Sequence, residues 1–379
     1  MRKFDEDVAF LQRHGAKVKV LSRADGGCIA VSGAYQARVM TSAFAADGAS
    51  LGFVNRAFIE AGTTGTAFDN YGGADRFWLG PEGGQFALYF APSAPFTFEN
   101  WRTPSAFQEG EWQEQASHAD SVRYARSFSI QNYAKTPFTM EIARTITLLS
   151  AEQAQASLRL APPAGVQWVG FRSENRLTNT SSQAWTEAQG LPSIWILGMF
   201  NPAPDTRIIL PFEKQGTGRV VNDSYFGQVG AERLLVNDEK GFVLFKADGR
   251  ARGKVGLSPS RAKDVLGSYS APGELLTIVR FTKPAGATRY VDNSWEISTK
   301  PYGGDVSNAY NDGPVEPGKP SLGGFYELES SSPAAALAPD TSIAHTHDTY
   351  HFHGPRAALE AIARASLGVS LADVESAWR

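Results

Sequence analysis

Two neighbouring stretches of the chain alternate with period two. In SVRYARSFSI, Val122, Tyr124, Phe128 and Ile130 share one face, and in MEIARTITLL so do Met140, Ile142, Ile146 and Leu148. Successive side chains of a strand point to opposite sides, so each stretch is predicted as a half-buried strand with one face on a core. Similar candidates run the length of the chain: KVKVLSR, GCIAVSG, QARVMTS, GQFALYF, VQWVGFRSENRLTN, SIWILGMF, RIILPF, FVLFKA, LLTIVRFT, GGFYELES and IAHTHDTYHFHG. Turn clusters such as YGGAD, NPAPD, YGGD and YNDGP separate them. Helical patterns are confined to the ends. Phe4 to His14 is closed by Gly15; PRAALEAIARASLG has Pro355 in its first turn and Gly368 as its stop; SLADVESAW is capped by Ser370. No linker marks a boundary. A chain so rich in strands needs two stacked sheets or a closed barrel to bury its apolar faces. The expectation is an all-β fold forming one domain over residues 1–379, with a sandwich at 15–353 and C-terminal helices at 355–379.

Composition narrows the function classes. Hydrophobic residues make up 42% of the chain and charged ones 20%, the balance of a globular protein with a real core. The net charge of −3 comes with no basic or acidic block, which argues against nucleic acid or an anionic membrane as partner. No apolar run is long enough to insert into a bilayer. Cys28 is alone, which excludes an internal disulfide and a cysteine-based zinc site. The start, MRKFDEDVAFLQRHG, lacks an apolar signal core and reads as cytoplasmic; a chain trimmed of a signal, and hence periplasmic or secreted, would read the same, so the compartment stays open. Abundant aromatics (8 Trp, 12 Tyr, 23 Phe) suit both a β-rich core and stacking on sugar rings.

Several strand faces carry charge where a core would be apolar. VQWVGFRSENRLTN aligns Trp168, Arg172, Glu174 and Arg176 on one side, which reads either as an exposed ion-paired face or as the polar floor of a cavity. Arg144 sits on the apolar face of its strand and requires a partner. In YGGADRFWLGPEGGQ, glycines that permit close backbone approach surround Asp75, Arg76, Trp78 and Glu82, a combination of stacking face and directed hydrogen bonds. It is not a phosphate-binding loop, since no Gly-Lys-Ser/Thr follows. Glu327 and Glu329, two apart, share a strand face and could transfer protons at a sugar carbon or anomeric oxygen. DNSWE, and the loop holding Asp305, Asn308, Tyr310, Asn311 and Asp312, have the composition of sugar-binding loops and of ordinary turns. The basic run through Arg250, Arg252, Lys254, Arg261 and Lys263 reads as a solvated loop, with an anionic-substrate clamp as the alternative.

Four of the six histidines, His345, His347, His351 and His353, are odd-numbered within IAHTHDTYHFHG, so an unbroken strand would turn all of them to one side. Asp348 and Thr349 are placed to interrupt that strand, and His353, beside Gly354, falls outside the group. His345 and His347 are candidates for proton transfer. His345, His347, His351 and Glu327 are an alternative ligand set for a divalent metal such as Zn or Ca.

Four segments resemble, in order, landmarks of the galactose-mutarotase-like (aldose epimerase) superfamily, and more closely an uncharacterised bacterial branch of it. They are GAYQARVMTSAFAADGASLGFVNR, YGGADRFWLGPEGG, LTNTSSQAWTEAQGLPSIWILGMF and FYELESSSPAAALAPDTSIAHTHDTYHF. The resemblance implies a β-supersandwich of two large antiparallel sheets with a carbohydrate site on a concave face. It implies that Glu329, in Leu328-Glu329-Ser330 before Pro333, is the general base of an epimerase or mutarotase. The histidine acid of that superfamily is missing from Ile196 to Phe200, which leaves His347 or His345 to replace it. The expected function is acid/base chemistry on a sugar, with Arg76, Trp78, Glu82, Glu174, Arg176 and Asn311 holding the carbohydrate and no cofactor required. The alternatives are a metal-dependent lyase or hydrolase acting on oligosaccharides, and a non-catalytic carbohydrate-binding protein.

Overall fold

A computed structural model describes residues 2–65, 67–314 and 318–378. In chain order its strands are β1 (Val18–Ser22), β2 (Cys28–Ser32), β3 (Arg38–Ala43), β4 (Arg76–Gly80), β5 (Gln113–Ser117), β6 (Ser121–Gln131), β7 (Pro137–Leu148), β8 (Gln167–Asn179) and β9 (Ser193–Phe200). There follow β10 (Arg207–Pro211), β11 (Leu234–Asn237), β12 (Phe242–Lys246), β13 (Gly253–Leu257), β14 (Val265–Ser270), β15 (Leu275–Phe281), β16 (Ser307–Asn311), β17 (Tyr326–Ser331) and β18 (Ser342–His353). The helices are α1 (Phe4–Arg13), α2 (Arg56–Ala61), α3 (Ala151–Leu158), α4 (Arg356–Leu367) and α5 (Leu371–Ser376). None of them is long and apolar enough to cross a membrane.

The strands form a ten-stranded sheet in the order β11-β12-β10-β14-β15-β18-β8-β7-β6-β5, a five-stranded sheet β13-β16-β17-β9-β4, and a three-stranded sheet β1-β2-β3. All pairings within them are antiparallel. The period-two alternation explains the layers. Phe77, Leu79, Ile194, Ile196 and Leu328 of the five-stranded sheet pack in one core with Ile142, Val169, Phe171 and Val279 of the ten-stranded sheet. Part of the opposite face of the large sheet, including Leu276, Ile278, Tyr350 and Phe352, is covered by apolar residues of α3, α4 and α5. Burying a Leu, Ile or Phe side chain contributes roughly 1.5–3 kcal/mol, so these two interfaces carry most of the drive to fold.

The terminal helices lie where the sequence predicts them. α4 ends at Gly368, whose φ of 70° requires the left-handed conformation that glycine adopts at low cost, and α5 is capped by the Ser370 side chain. GQFALYF is not a strand; Leu88, Tyr89 and Phe90 are buried as part of a loop wound against the core. β18 runs unbroken through Asp348, because that carboxylate faces away from the histidines and accepts two bonds from Arg172 at 2.7 Å. α3 was not expected, although Ser150 and Gln153 form a reciprocal capping box at its start.

Candidate functional site

The five-stranded sheet turns one face to the core and the other to a cleft. Its register fixes which residues belong to which. Glu327 lies opposite Tyr310 and Met199, and Glu329 opposite Asn308 and Leu197; Leu197 in turn lies opposite Arg76, and Trp195 opposite Trp78. Lys254 lies opposite Tyr310. Residues opposite one another share a face. Arg76, Trp78, Trp195, Lys254, Tyr310 and Glu327 therefore line one cleft, and loops add Phe68, Glu82, Trp101, Phe226, Arg252 and Trp295.

Two ion pairs cross the floor of this cleft. Arg76 stands in the row of Glu329 but reaches diagonally to Glu327, with Nη2 donating to Oε1 at 2.7 Å. Lys254 stands in the row of Glu327 and reaches to Glu329, with Nζ donating to Oε2 at 3.0 Å. Trp195 Nε1 donates to the same Oε2 at 2.8 Å. Among the described residues Glu329 Oε1 has no partner, and the residue is fully buried behind the side chains that line the cleft. Arg76 lies 4.0 Å over the Trp78 ring, and Lys254 4.5 Å over that of Trp195. The cations are thus held against π faces as well as carboxylates.

Proton affinities in the cleft are displaced. Burial, with Glu329 adding, pushes the Glu327 carboxyl up to about 8 against the opposing pull of Arg76 and Lys254. Glu82 is raised by burial and by Glu329, opposed by Lys254 and Arg252, and its backbone N–H is anchored on Asn293 Oδ1 at 2.8 Å. Burial would lower the Lys254 ammonium, but Glu329 and Glu82 outweigh it and the net shift is upward. A cleft with a carboxyl of raised proton affinity, two cations held on carboxyl groups and an aromatic wall can stack a ring, hydrogen-bond hydroxyls and exchange a proton.

The histidines are elsewhere. Ser330, between Glu329 and Ser331 on β17, points to the core face, where its Oγ lies 2.7 Å from His345 Nε2 and 2.8 Å from His347 Nδ1. His351 Nδ1 is 2.9 Å from Thr277 Oγ1. All three imidazoles are at most 1% exposed, and burial drives the proton affinity of His345 and His351 down to about 3 and lowers that of His347. His345 and His347 therefore do not share a hollow with Glu329, because the sheet itself separates them. Nor do His345, His347, His351 and Glu327 form a ligand set: Glu327 lies on the other side of β17, and among the described residues no three His, Cys, Asp or Glu side chains are gathered as metal ligands. His353, at the strand end, is partly exposed beside Glu274, outside this group as expected.

Other candidates divide the same way. Trp78, Arg76 and Glu82 line the cleft as expected. Glu174 and Arg176 do not; they are exposed on the outer face of the ten-stranded sheet, while Ser173, Asn175 and Leu177 between them face inward. Asn311 is also outside the cleft. Its amide clamps the 248–253 turn, donating to the Ala251 carbonyl at 2.8 Å and accepting from Gly249 N–H at 2.9 Å. Trp195 carries no signal of this role in the sequence; Trp295 was placed only within DNSWE, as a sugar-binding loop or an ordinary turn, and Arg252 and Lys254 only in a run read as a solvated loop with an anionic-substrate clamp as the alternative, whereas all four line the cleft. The signal for the last two was parity: Arg252 and Lys254 are two apart, on one face of what proves to be β13 and its approach.

The profile of a family of unknown function, DUF6786, matches residues 2–378. The chain belongs to that family. No curated protein matches it. Among solved structures, a candidate aldose 1-epimerase from Escherichia coli K12 superposes with a TM-score of 0.55 at 12% identity, covering 90% of this chain and 100% of its own. A protein from Synechocystis sp. PCC 6803 gives 0.51 at 12% identity, covering 88% and 95%. A galactose mutarotase related enzyme from Lactobacillus acidophilus gives 0.49 at 8% identity, covering 89% and 98%. This family member has the galactose-mutarotase-like β-supersandwich fold, as the landmarks in its sequence imply.

Proposed function

We propose that the cleft on the five-stranded sheet binds a saccharide and carries out acid/base chemistry on it, with Glu327 as the proton-transfer group. The observation that carries this reading is a buried carboxyl with raised proton affinity, lining an aromatic cleft and oriented by Arg76 at 2.7 Å. A carboxyl near 8 is protonated at neutral pH yet ready to ionise, the condition under which a group serves as acid in one half of a reaction and base in the other. Trp78, with Trp101 or Trp295, offers ring faces for stacking. Glu329 is a positioning residue in this reading, since it holds Lys254 and Trp195 in place from below.

The test is anomer interconversion followed by polarimetry over a panel of aldoses and uronic acids. Glu327→Gln, which keeps shape and removes the proton, is expected to lower the rate by about 10²–10⁴-fold. A wild-type rate equal to buffer for every sugar would overturn the reading. The absence of any histidine from the cleft lining favours a second one, a carbohydrate-binding protein without turnover. Sugar binding by calorimetry with no change in rate would decide for it.

A further inference from the structure

We propose that the saccharide carries a carboxylate and that Arg252 receives it. This rests on the reading of the cleft as a saccharide site and names the class of sugar. Of the cations lining the cleft, Arg76 is committed to Glu327 and Lys254 to Glu329. Arg252 is different. Among the described residues it takes part in no ion pair, and its Nε is buried with no partner. Its guanidinium carbon sits over the Phe226 ring, 3.7 Å from the centroid, with Phe98 at 5.6 Å. A guanidinium held over a ring keeps its edge for hydrogen bonds; Tyr310 takes up part of that edge in Arg252, and Nε and the rest can turn to an anion as arginine does with planar carboxylates.

The unpaired donors of the lining point the same way. Arg76 Nε, Trp78 Nε1, Trp101 Nε1 and Arg252 Nε all belong to lining residues, all are buried, and none has an acceptor among the described residues, while Trp295 Nε1 is directed toward Glu82. Indole and guanidinium groups donate only. A lining with surplus donors is completed by a ligand rich in acceptors, and a carboxylate supplies several lone pairs and no proton. Glu82, the other carboxyl facing the cleft, is held toward its neutral form by burial and so competes weakly for Arg252.

The experiment is calorimetric titration of the wild type with matched pairs, glucuronate against glucose and galacturonate against galactose, with glucose 6-phosphate as a third arm. At least one uronate is expected to bind about tenfold or more tightly than its neutral partner. Arg252→Gln should erase that ratio, and Arg252→Lys, which keeps the charge and loses the fork, should restore only part of it; thermal melting of each variant verifies folding. Equal affinities within both pairs, or a preference that survives Arg252→Gln, would overturn the assignment while leaving the saccharide site standing. Tighter binding of the phosphate would replace the carboxylate by a dianion and overturn it as stated. Binding of no sugar at all would remove the saccharide reading and this one together.

Discussion

Arg144 is the residue whose position is hardest to reconcile with an apolar core, and its surroundings explain it. It is fully buried between the sheets and bonded to Asp75, whose second oxygen accepts from Ser173 Oγ at 2.7 Å. Burial pulls the guanidinium affinity down and Asp75 opposes the fall. The sequence demanded a partner for Arg144 but could not name it, because Asp75 is 69 residues away and looks like part of a glycine-rich loop. A buried pair costs most when only one member is removed. Arg144→Met should therefore destabilise the fold by about 3–5 kcal/mol by stranding the Asp75 carboxylate, as read from urea unfolding. Combining it with Asp75→Asn should recover most of the loss. A double variant no better than the single one would mean that the charge pair is not what the site depends on.

On the scale of single strands, alternation was legible and sidedness was not. That the odd-numbered histidines of β18 share a face, and that Glu327 and Glu329 share one on β17, follows from period two and holds. Which of a strand's two sides meets the cleft cannot be read this way, because both sides of β17 are buried. Glu174 and Arg176 misled for the converse reason: a run of charges on one parity describes a solvated face as well as a cavity floor, and β8 used it for solvent. Lys254 and Arg252 were read first as part of a solvated loop, with the clamp second, because GKVGL is short and glycine-flanked, and its role as an edge strand depends on pairing with β16 more than fifty residues on. Ser330 gives the sidedness a direct test. Its single proton can serve one imidazole while it accepts from the other, so either tautomer arrangement leaves one bare ring nitrogen and one unpaired N–H. Ser330→Ala would strand the two remaining nitrogens, at roughly 1–3 kcal/mol for each unsatisfied group. The melting temperature should fall while sugar affinity at the cleft on the other face stays as it was. Loss of binding with stability intact would reverse the assignment of faces.

For the whole molecule, the buried imidazoles set the acid limit of stability. His345 and His351 bind a proton only near pH 3 in the fold, and His347 is also lowered by burial, although Asp75 and Asp348 oppose it. In the unfolded chain all three titrate near 6.5. Between those values the unfolded state holds more protons, so stability is intact above about pH 6.5 and is lost as pH falls. Three such groups amount to at most about 4 kcal/mol per pH unit, against a typical total stability of about 5–15 kcal/mol. Glu327 works in the other direction. Its folded value near 8 lies above that of a free carboxyl, so the fold holds the extra proton and loses stability as pH rises through the interval up to 8. Glu82, raised in the same sense, adds to it. In the acid range the raised carboxyls offset part of the histidine slope; above pH 6.5 the histidines no longer contribute and Glu327 sets the slope. The urea midpoint should accordingly peak near neutrality, fall steeply toward pH 5 and fall gently toward pH 8. His351→Gln, whose amide can still meet Thr277 Oγ1, should make the acid limb shallower by about one proton, and Glu327→Gln should flatten the alkaline limb. A midpoint that is constant from pH 7 to pH 4.5 would mean that these imidazoles exchange protons freely in the native protein, and so are not sealed between the sheets.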